Sequence, residues 1–426
     1  MKMKVLVVGS GGREHALVKQ VKGSPFVEAV WCWPGNDGIL ADAQAVPVAP
    51  GSYLDLSKWA EESGVGLVVV GPEAELVAGV SDEMRRAQIP VFGPSRVASK
   101  LEGSKIYAKT FMREFGVPTA RADVVTSVKE TLVHALKYKP PYVLKADGLA
   151  AGKGVFICKD LTELERAAKE LFQEKKLGVA GERALLEEFQ PGQELSVLAL
   201  TNGQSYELLP LCRDHKRLGE GDTGPNTGGM GVVGPIEIDP HVLEAIQKKV
   251  IEPTLRGFQE RGYLYRGVIF VGVMLTANGP QVLEYNVRLG DPETQTILPL
   301  LDGDWADVLL EVAQGRLPRL RWKPLSSACL VLAAEGYPDH PVKGAVIEGL
   351  GQAASSTTGV GAKGIGPVQV LHAGTKHEGA SYVTNGGRVI NVVAQAPSLS
   401  QALEAAYARA ESIQWKGRQM RRDIGR

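Results

Sequence analysis

The sequence predicts a multidomain chain of α/β and α+β class. It has an N-terminal open parallel α/β sheet, a two-part central region with a small mobile lid, and a small C-terminal α+β domain. Three observations predict this. Short apolar runs alternate with helical periodicity over residues 1–100, as in a parallel sheet. The glycines, 50 in all, gather in loops at 9–12, 148–154, 219–234 and 359–366 instead of forming a linker. From Ser326 the pattern changes to short alternating strands and turns. A length of 426 residues also exceeds a single core.

The elements follow in order. The apolar run 4–8 ends at Gly9, as a buried parallel strand does. A helix is expected over 13–22, a strand over 27–32, a helix over 55–63 and a strand over 67–70. A helix over 76–86 and a short strand at 90–92 complete the first domain, residues 1–100. Residues 101–115 read as a helix stopped at Gly116-Val117-Pro118. The lid, 119–191, carries strands at 142–145, 154–158 and 183–187 and a helix at 161–175. The central core is 101–118 with 192–325, including a helix over 240–261. The last domain, 326–426, ends in a helix near 398–413.

Lysine plus arginine and aspartate plus glutamate both number 48, which argues against binding nucleic acid through bulk positive charge. No apolar stretch is long enough to span a membrane. The four cysteines are far apart and the seven histidines lack metal-site spacing, so zinc is not expected, and reduced thiols in the cytoplasm are.

The run Glu284-Tyr-Asn-Val-Arg-Leu-Gly-Asp-Pro-Glu293 is the most informative stretch. It puts Glu284 and Asn286 on one face of a strand, two hard-oxygen donors of the kind magnesium takes beside nucleotide phosphates, with Arg288 continuing the alternation. Lys145 ends an apolar strand. The loop Gly148 to Gly154, with Gly152 and Lys153, can close over phosphate through backbone N–H groups, although its spacing is not that of a Walker A loop. Glu187, Glu188 and Phe189 before a Pro-Gly turn, with Glu194 beyond it, suit an adenine edge and ribose hydroxyls, or else a plain surface turn. Gly9-Ser-Gly11-Gly12-Arg13-Glu14 lacks the third glycine of a dinucleotide fingerprint, so a lone phosphate on this loop fits better. The loop with Asp214, Lys216, Arg217, Asp222, Asn226 and Gly229 has too little apolar content to fold alone. An anionic substrate is expected to order its charges.

Together these segments resemble the glycinamide ribonucleotide synthetase family of the ATP-grasp superfamily, nearly end to end. The run Gly221-Asp-Thr-Gly-Pro-Asn-Thr-Gly-Gly-Met-Gly231 carries the family-specific part. Arg213, Leu289 and Glu335 depart from the family pattern without removing a charged site residue. The resemblance implies ATP-grasp central domains and ligation of glycine to 5-phosphoribosylamine with ATP, through glycyl phosphate, in purine biosynthesis. It assigns Lys105, Lys145, Gly152, Lys153, Gly154, Glu187, Glu188, Phe189 and Glu194 to ATP, and Glu284 and Asn286 to Mg2+ or Mn2+. It assigns Gly11, Gly12, Arg13, Glu14, Asn36, Pro72, Glu73, Lys216, Arg217, Asn226, Gly229, Gly290 and Asp291 to substrate, and Arg288, Asp214 and Asp222 to catalysis. A monomer is expected, with a transient hand-over of phosphoribosylamine from the upstream amidotransferase admitted, and no nucleic acid or membrane partner. Competing readings are another ATP-grasp ligase, such as a carboxyaminoimidazole ribonucleotide synthetase, a dinucleotide oxidoreductase built on residues 1–100, and a non-catalytic nucleotide sensor.

Overall fold

The computed structural model describes residues 2–150, 152–351 and 366–426. Ala151 of the glycine loop and most of the glycine cluster at 359–366 therefore lie outside the described residues. The N-terminal region contains β1 (Met3–Gly9), α1 (Gly12–Lys22), β2 (Val27–Pro34), β3 (Gln44–Ala45), α2 (Tyr53–Glu62) and β4 (Leu67–Val70). It continues with α3 (Glu73–Ala78), α4 (Val80–Arg86) and β5 (Val91–Phe92). The five strands form one parallel sheet in the order β3-β2-β1-β4-β5. Val5 to Val8 are 0% exposed: Leu6 and Val8 pack on one side of the sheet, Val5 and Val7 on the other. This two-sided burial explains the unbroken apolar run. The single helix expected over 76–86 is two helices, because Gly79 adopts the left-handed conformation (φ 102°). The first of them starts at Glu73, which places that carboxylate in its opening turn.

The expected helix 101–115 is likewise divided into α5 (Lys100–Gly103) and α6 (Lys105–Phe115). Ser104 between them is extended. Its hydroxyl oxygen accepts from Tyr107 N and the hydroxyl donates to Asp147 Oδ1 at 2.7 Å. This N-cap sets Lys105 at the head of α6 and Lys109 one turn further on.

The lid region has β6 (Ala122–Val125), α7 (Val128–Ala135), β7 (Tyr142–Ala146), β8 (Val155–Cys158), α8 (Leu161–Phe172) and β9 (Ala184–Glu188). Its antiparallel sheet runs β6-β9-β7-β8, with Leu144, Leu164, Leu171 and Leu186 in a core of their own. Short β6 and α7 had no expectation in the sequence.

The chain continues through β10 (Gln193–Thr201), β11 (Tyr206–Leu208), β12 (Arg213–Asp214), β13 (Arg217–Gly219), β14 (Thr223–Asn226) and β15 (Gly231–Gly234). Next come α9 (Pro240–Ile246), a π-helical turn at Gln247–Ile251, α10 (Glu252–Glu260), β16 (Gly267–Thr276), β17 (Gly279–Asn286), α11 (Glu293–Ile297) and α12 (Trp305–Ala313). The last part is β18 (Ser326–Ala333), β19 (Gln369–His372), β20 (Thr375–Glu378), β21 (Ser381–Thr384), β22 (Arg388–Ala396) and α13 (Leu399–Glu411). One antiparallel sheet is β11-β10-β16-β17. Another is β12-β15-β18-β22-β19, so strands from the glycine-rich 213–234 segment join the sheet of the C-terminal region.

That segment, expected to have its charges ordered by an anionic substrate, also has partners within the protein: Gly221 N donates to Asp423 Oδ2 at 2.8 Å, and Arg421 Nη1 pairs with Asp222 at 2.7 Å.

Helix α6 is seated by close packing on α10. A side chain at Gly257 would meet Phe111 and Phe115 at 2.5 to 2.7 Å from its first carbon. We expect Gly257→Val to cost about 1–3 kcal/mol through overpacking, read as a lower Tm. An unchanged Tm would show that α6 and α10 can part without loss.

Candidate active site

The site is built around β17. Gly272 pairs with Glu284 and Val273 with Val282, so Leu283 is an extra residue in the strand. The bulge lets both Val282 and Tyr285 enter the core while Glu284 and Asn286 stay half-buried. It also presents Leu283 O to Lys145 Nζ at 3.1 Å. Arg288 follows on the same side, since its Nη2 donates to Asn286 Oδ1 at 3.2 Å.

Four cations converge on Glu284. Burial pushes its carboxyl pKa up, but Lys216, Lys145, Lys105 and Arg288 outweigh burial and hold it below the ordinary value. Lys105, whose own pKa burial lowers, points at Gly148 O, 3.5 Å away in the glycine loop. Lys145 is buried in β7, and its ammonium lies 2.9 Å from Glu187 Oε2. The other oxygen of Glu187 is 2.9 Å from Lys109. Lys216 pairs with Glu194.

Arg288 does not swing free. Its Nε meets Glu73 Oε2 at 3.1 Å and its Nη2 meets Glu102 Oε1 at 2.9 Å. Glu102 also accepts from Val287 N at 2.7 Å. Burial pushes the Glu102 pKa up to about 7 against the pull of Arg288. At Glu73 burial acts in the same sense, but Arg288 and Arg13 bring the value down to about 2. Sequence reasoning missed Glu102, which looks like an ordinary helix residue.

Asp214 and Glu293 form a second centre. Among the described residues Asp214 Oδ1 is buried without a hydrogen-bond partner, and Glu293 Oε1 accepts a 3.3 Å bond from Ser196 Oγ. Burial and then mutual repulsion raise the Asp214 pKa, and burial raises that of Glu293. Gly229 (φ 110°) lies against Asp214 and Pro292, where a side chain would collide with both. Lys216 acts on both carboxyls, with Arg388 on Asp214 and Arg288 on Glu293, yet burial and repulsion outweigh these cations. Glu293, at the start of α11, was not among the expected site residues.

At the head of α1, Gly11 N donates to Glu14 Oε2 at 2.6 Å, and Arg13 pairs with Glu14 and donates to Leu289 O at 3.0 Å. Asp291 meets Arg388 at 3.1 Å and Gln295 at 2.6 Å. Gly290 is packed against Glu293 and Phe270. Asn391, 1% exposed, leans on Gly12 with neither amide atom partnered. Asn391 and Arg388 come from β22, more than 360 positions beyond α1, and were not among the expected site residues.

Several expected residues lie elsewhere. The Asn36 amide is fully used: it donates to Ser10 O and Ala373 O and accepts from Gly38 N and Ile39 N. It ties the 36–39 turn to Ser10 and Ala373. Asp222, 71% exposed, is paired with Arg421 and is not among the residues gathered around Glu284. Arg217 donates to Gly224 O and Asn226 is exposed, so both stay within the β-ribbon. Lys153 reaches Asp339 O at 3.3 Å. Glu188 is exposed, and Phe189 follows it out of β9. Pro72 is the N-cap of α3, directly before Glu73. Gly152 is left-handed (φ 79°) in open space, and Gly154 packs against Ala146 and Ala150.

Comparison with known proteins covers the whole chain. Residues 3–102, 103–294 and 327–426 match the N, ATP-grasp (A) and C domains of phosphoribosylglycinamide synthetase. A phosphoribosylamine–glycine ligase from Nostoc sp. is 44% identical over 431 aligned positions, covering 99% of each chain. The crystal structure of a phosphoribosylamine–glycine ligase from Thermotoga maritima superposes with a TM-score of 0.85 at 36% identity, over 99% of this chain and 100% of that one. A biotin carboxylase from Campylobacter jejuni shares the fold at 16% identity and TM-score 0.72, over 99% and 93% of the two chains.

Glu102 carries a pH signature. The unfolded chain releases this proton near the ordinary value of 4.5, the folded protein near 7, so stability falls as pH rises between the two. We expect Glu102→Gln to lose this slope. The wild type should lose Tm relative to the variant from pH 5 to pH 8, and parallel Tm curves would contradict it.

Proposed function

The chain belongs to the phosphoribosylglycinamide synthetase family, and on that premise we propose that the charges around Glu284 are where its ATP and glycine meet. The reaction is ATP-dependent ligation of glycine to 5-phosphoribosylamine, giving glycinamide ribonucleotide, ADP and phosphate in the second step of purine biosynthesis. The observation that carries the site assignment is the convergence of Lys105, Lys145, Lys216 and Arg288 on one carboxylate.

Glycine carboxylate is a poor electrophile and must be activated. One of its oxygens attacks the γ-phosphorus of ATP while the bond to ADP breaks, giving glycyl phosphate. Two anions must approach for this, and each unit-charge pair at 4 Å costs about 4 kcal/mol at an effective dielectric of 20. Lys105 and Lys145, with Arg288 held rigidly behind them by Glu73 and Glu102, offset that repulsion. Asp214 and Glu293 hold the glycine ammonium, and Gly229, where a side chain would meet Asp214, leaves that carboxylate clear. The N-terminus of α1, with Arg13, receives the phosphate of phosphoribosylamine. Its neutral amine then attacks the glycyl carbonyl carbon, inorganic phosphate leaves, and the amine proton passes to solvent. The lid and its glycine loop keep water from the acyl phosphate.

Glu284 and Asn286 supply hard oxygens on one face of β17, which fits magnesium or manganese. Among the described residues no third histidine, cysteine or carboxylate joins them, so phosphate oxygens and water would complete the shell. A bound ion would neutralise triphosphate charge.

An ADP-release assay with each substrate omitted in turn tests the function, and turnover is expected only when ATP, glycine and phosphoribosylamine are all present. Steady release without glycine would sink the reading. Glu284→Ala should lower kcat roughly 100- to 1,000-fold, and unchanged turnover in saturating magnesium would remove Glu284 from the site. Because the Asp214 and Glu293 pKa values are raised, the ammonium pocket fills with protons as pH falls. The KM for glycine should therefore rise toward acid pH in the wild type and lose that dependence in Asp214→Asn. A wild-type profile in the variant would place the ammonium elsewhere.

A further inference from the structure

Lys109 lies one helical turn beyond Lys105 and is 3% exposed, out of reach of any ligand. All three of its ammonium hydrogens have acceptors: Glu187 Oε1 at 2.9 Å, Thr119 Oγ1 at 2.8 Å and Ala120 O at 3.1 Å. Thr119 in turn donates to Val282 O at 2.7 Å, beside the bulge at Leu283. Glu187 offers its other oxygen to Lys145, whose ammonium also donates to Leu283 O. The chain of contacts therefore runs from the strand entering the lid, through Lys109 and Glu187, to Lys145 and back to the strand that bears Glu284. Both oxygens of Glu187 are already held by lysines, so this carboxylate acts on Lys145, a role different from the adenine contact expected of it.

We propose that Lys109 is a positioning residue for ATP: by sharing Glu187 with Lys145 it fixes the Lys145 ammonium and leaves that pair of lysines with one net positive charge for the nucleotide phosphates. With Lys109 removed, Glu187 would be balanced by Lys145 alone, and the group would fall from a net charge of +1 to 0. The buried carboxylate would then draw Lys145 toward itself and away from phosphate. The inference rests on the assignment of Lys145 to ATP.

The test compares Lys109→Met, Lys109→Arg and Lys145→Met by steady-state kinetics, with the Kd for a non-hydrolysable ATP analogue with magnesium measured by calorimetry. Lys109→Met should raise the KM for ATP and the analogue Kd about tenfold, the scale of one partly screened charge, with the KM for glycine changed less than about twofold. Lys109→Arg keeps the charge and should stay within about threefold of wild type for ATP. A lysine with only a structural role would lower Tm without separating the two KM values. A folded Lys109→Met with wild-type ATP affinity would overturn the inference. If that variant does not fold, Lys109→Arg decides alone, and a loss of ATP affinity as large as in Lys145→Met would overturn it. If Lys145→Met itself binds the analogue like wild type, the assignment of the ATP site fails. If only the Lys109 variants are silent, this inference fails by itself.

Discussion

The carboxylate of Glu284 stays ionised inside the protein because Lys105, Lys145, Lys216 and Arg288 surround it. Burial alone would protonate it, and the four cations alone would repel one another. Each needs the other, and the carboxylates paired with Lys145, Lys216 and Arg288 hold them in place. The cations come from four separate segments: the head of α6, a strand of the lid, the turn after β12 and the end of β17. All four lie within residues 103–294, and only the folding of that region brings them together.

Irregularities in the fold deliver these groups. The extended Ser104 starts a new helix at Lys105. The bulge at Leu283 keeps Glu284 and Asn286 on one side and turns a carbonyl to Lys145. The left-handed Gly79 ends the short helix that begins with Glu73, the partner of Arg288. β12 carries Asp214 into a sheet whose other strands include β18 and β22. The C-terminal region thus supports Asp214, and Arg421, 2% exposed, ties down the ribbon that follows it.

Much of this was legible in the sequence where the signal is local. Period-two alternation placed Glu284, Asn286 and Arg288 together, and an apolar run ending at a glycine loop located Lys145. The parallel first sheet followed from its unbroken valine runs, which are buried on both faces. What depends on distant partners was not legible. Glu102 and Lys109 look like ordinary helical residues until Arg288 and Glu187 are seen beside them. Asn391 reaches the head of α1, and Arg388 reaches Asp291, only through the fold. The internal partners of Asn36 and Asp222 were not legible either. Short polar side chains in glycine-rich turns also satisfy backbone groups and neighbouring arginines, and here they do so completely for Asn36 and through Arg421 for Asp222.

The most direct measurement is a crystal structure of the protein with a non-hydrolysable ATP analogue, magnesium and glycine. The account predicts the triphosphate against Lys105 and Lys145, the ion on Glu284 and Asn286, and the glycine ammonium between Asp214 and Glu293. A triphosphate bound away from the β17 face, out of reach of Lys105 and Lys145, would contradict it.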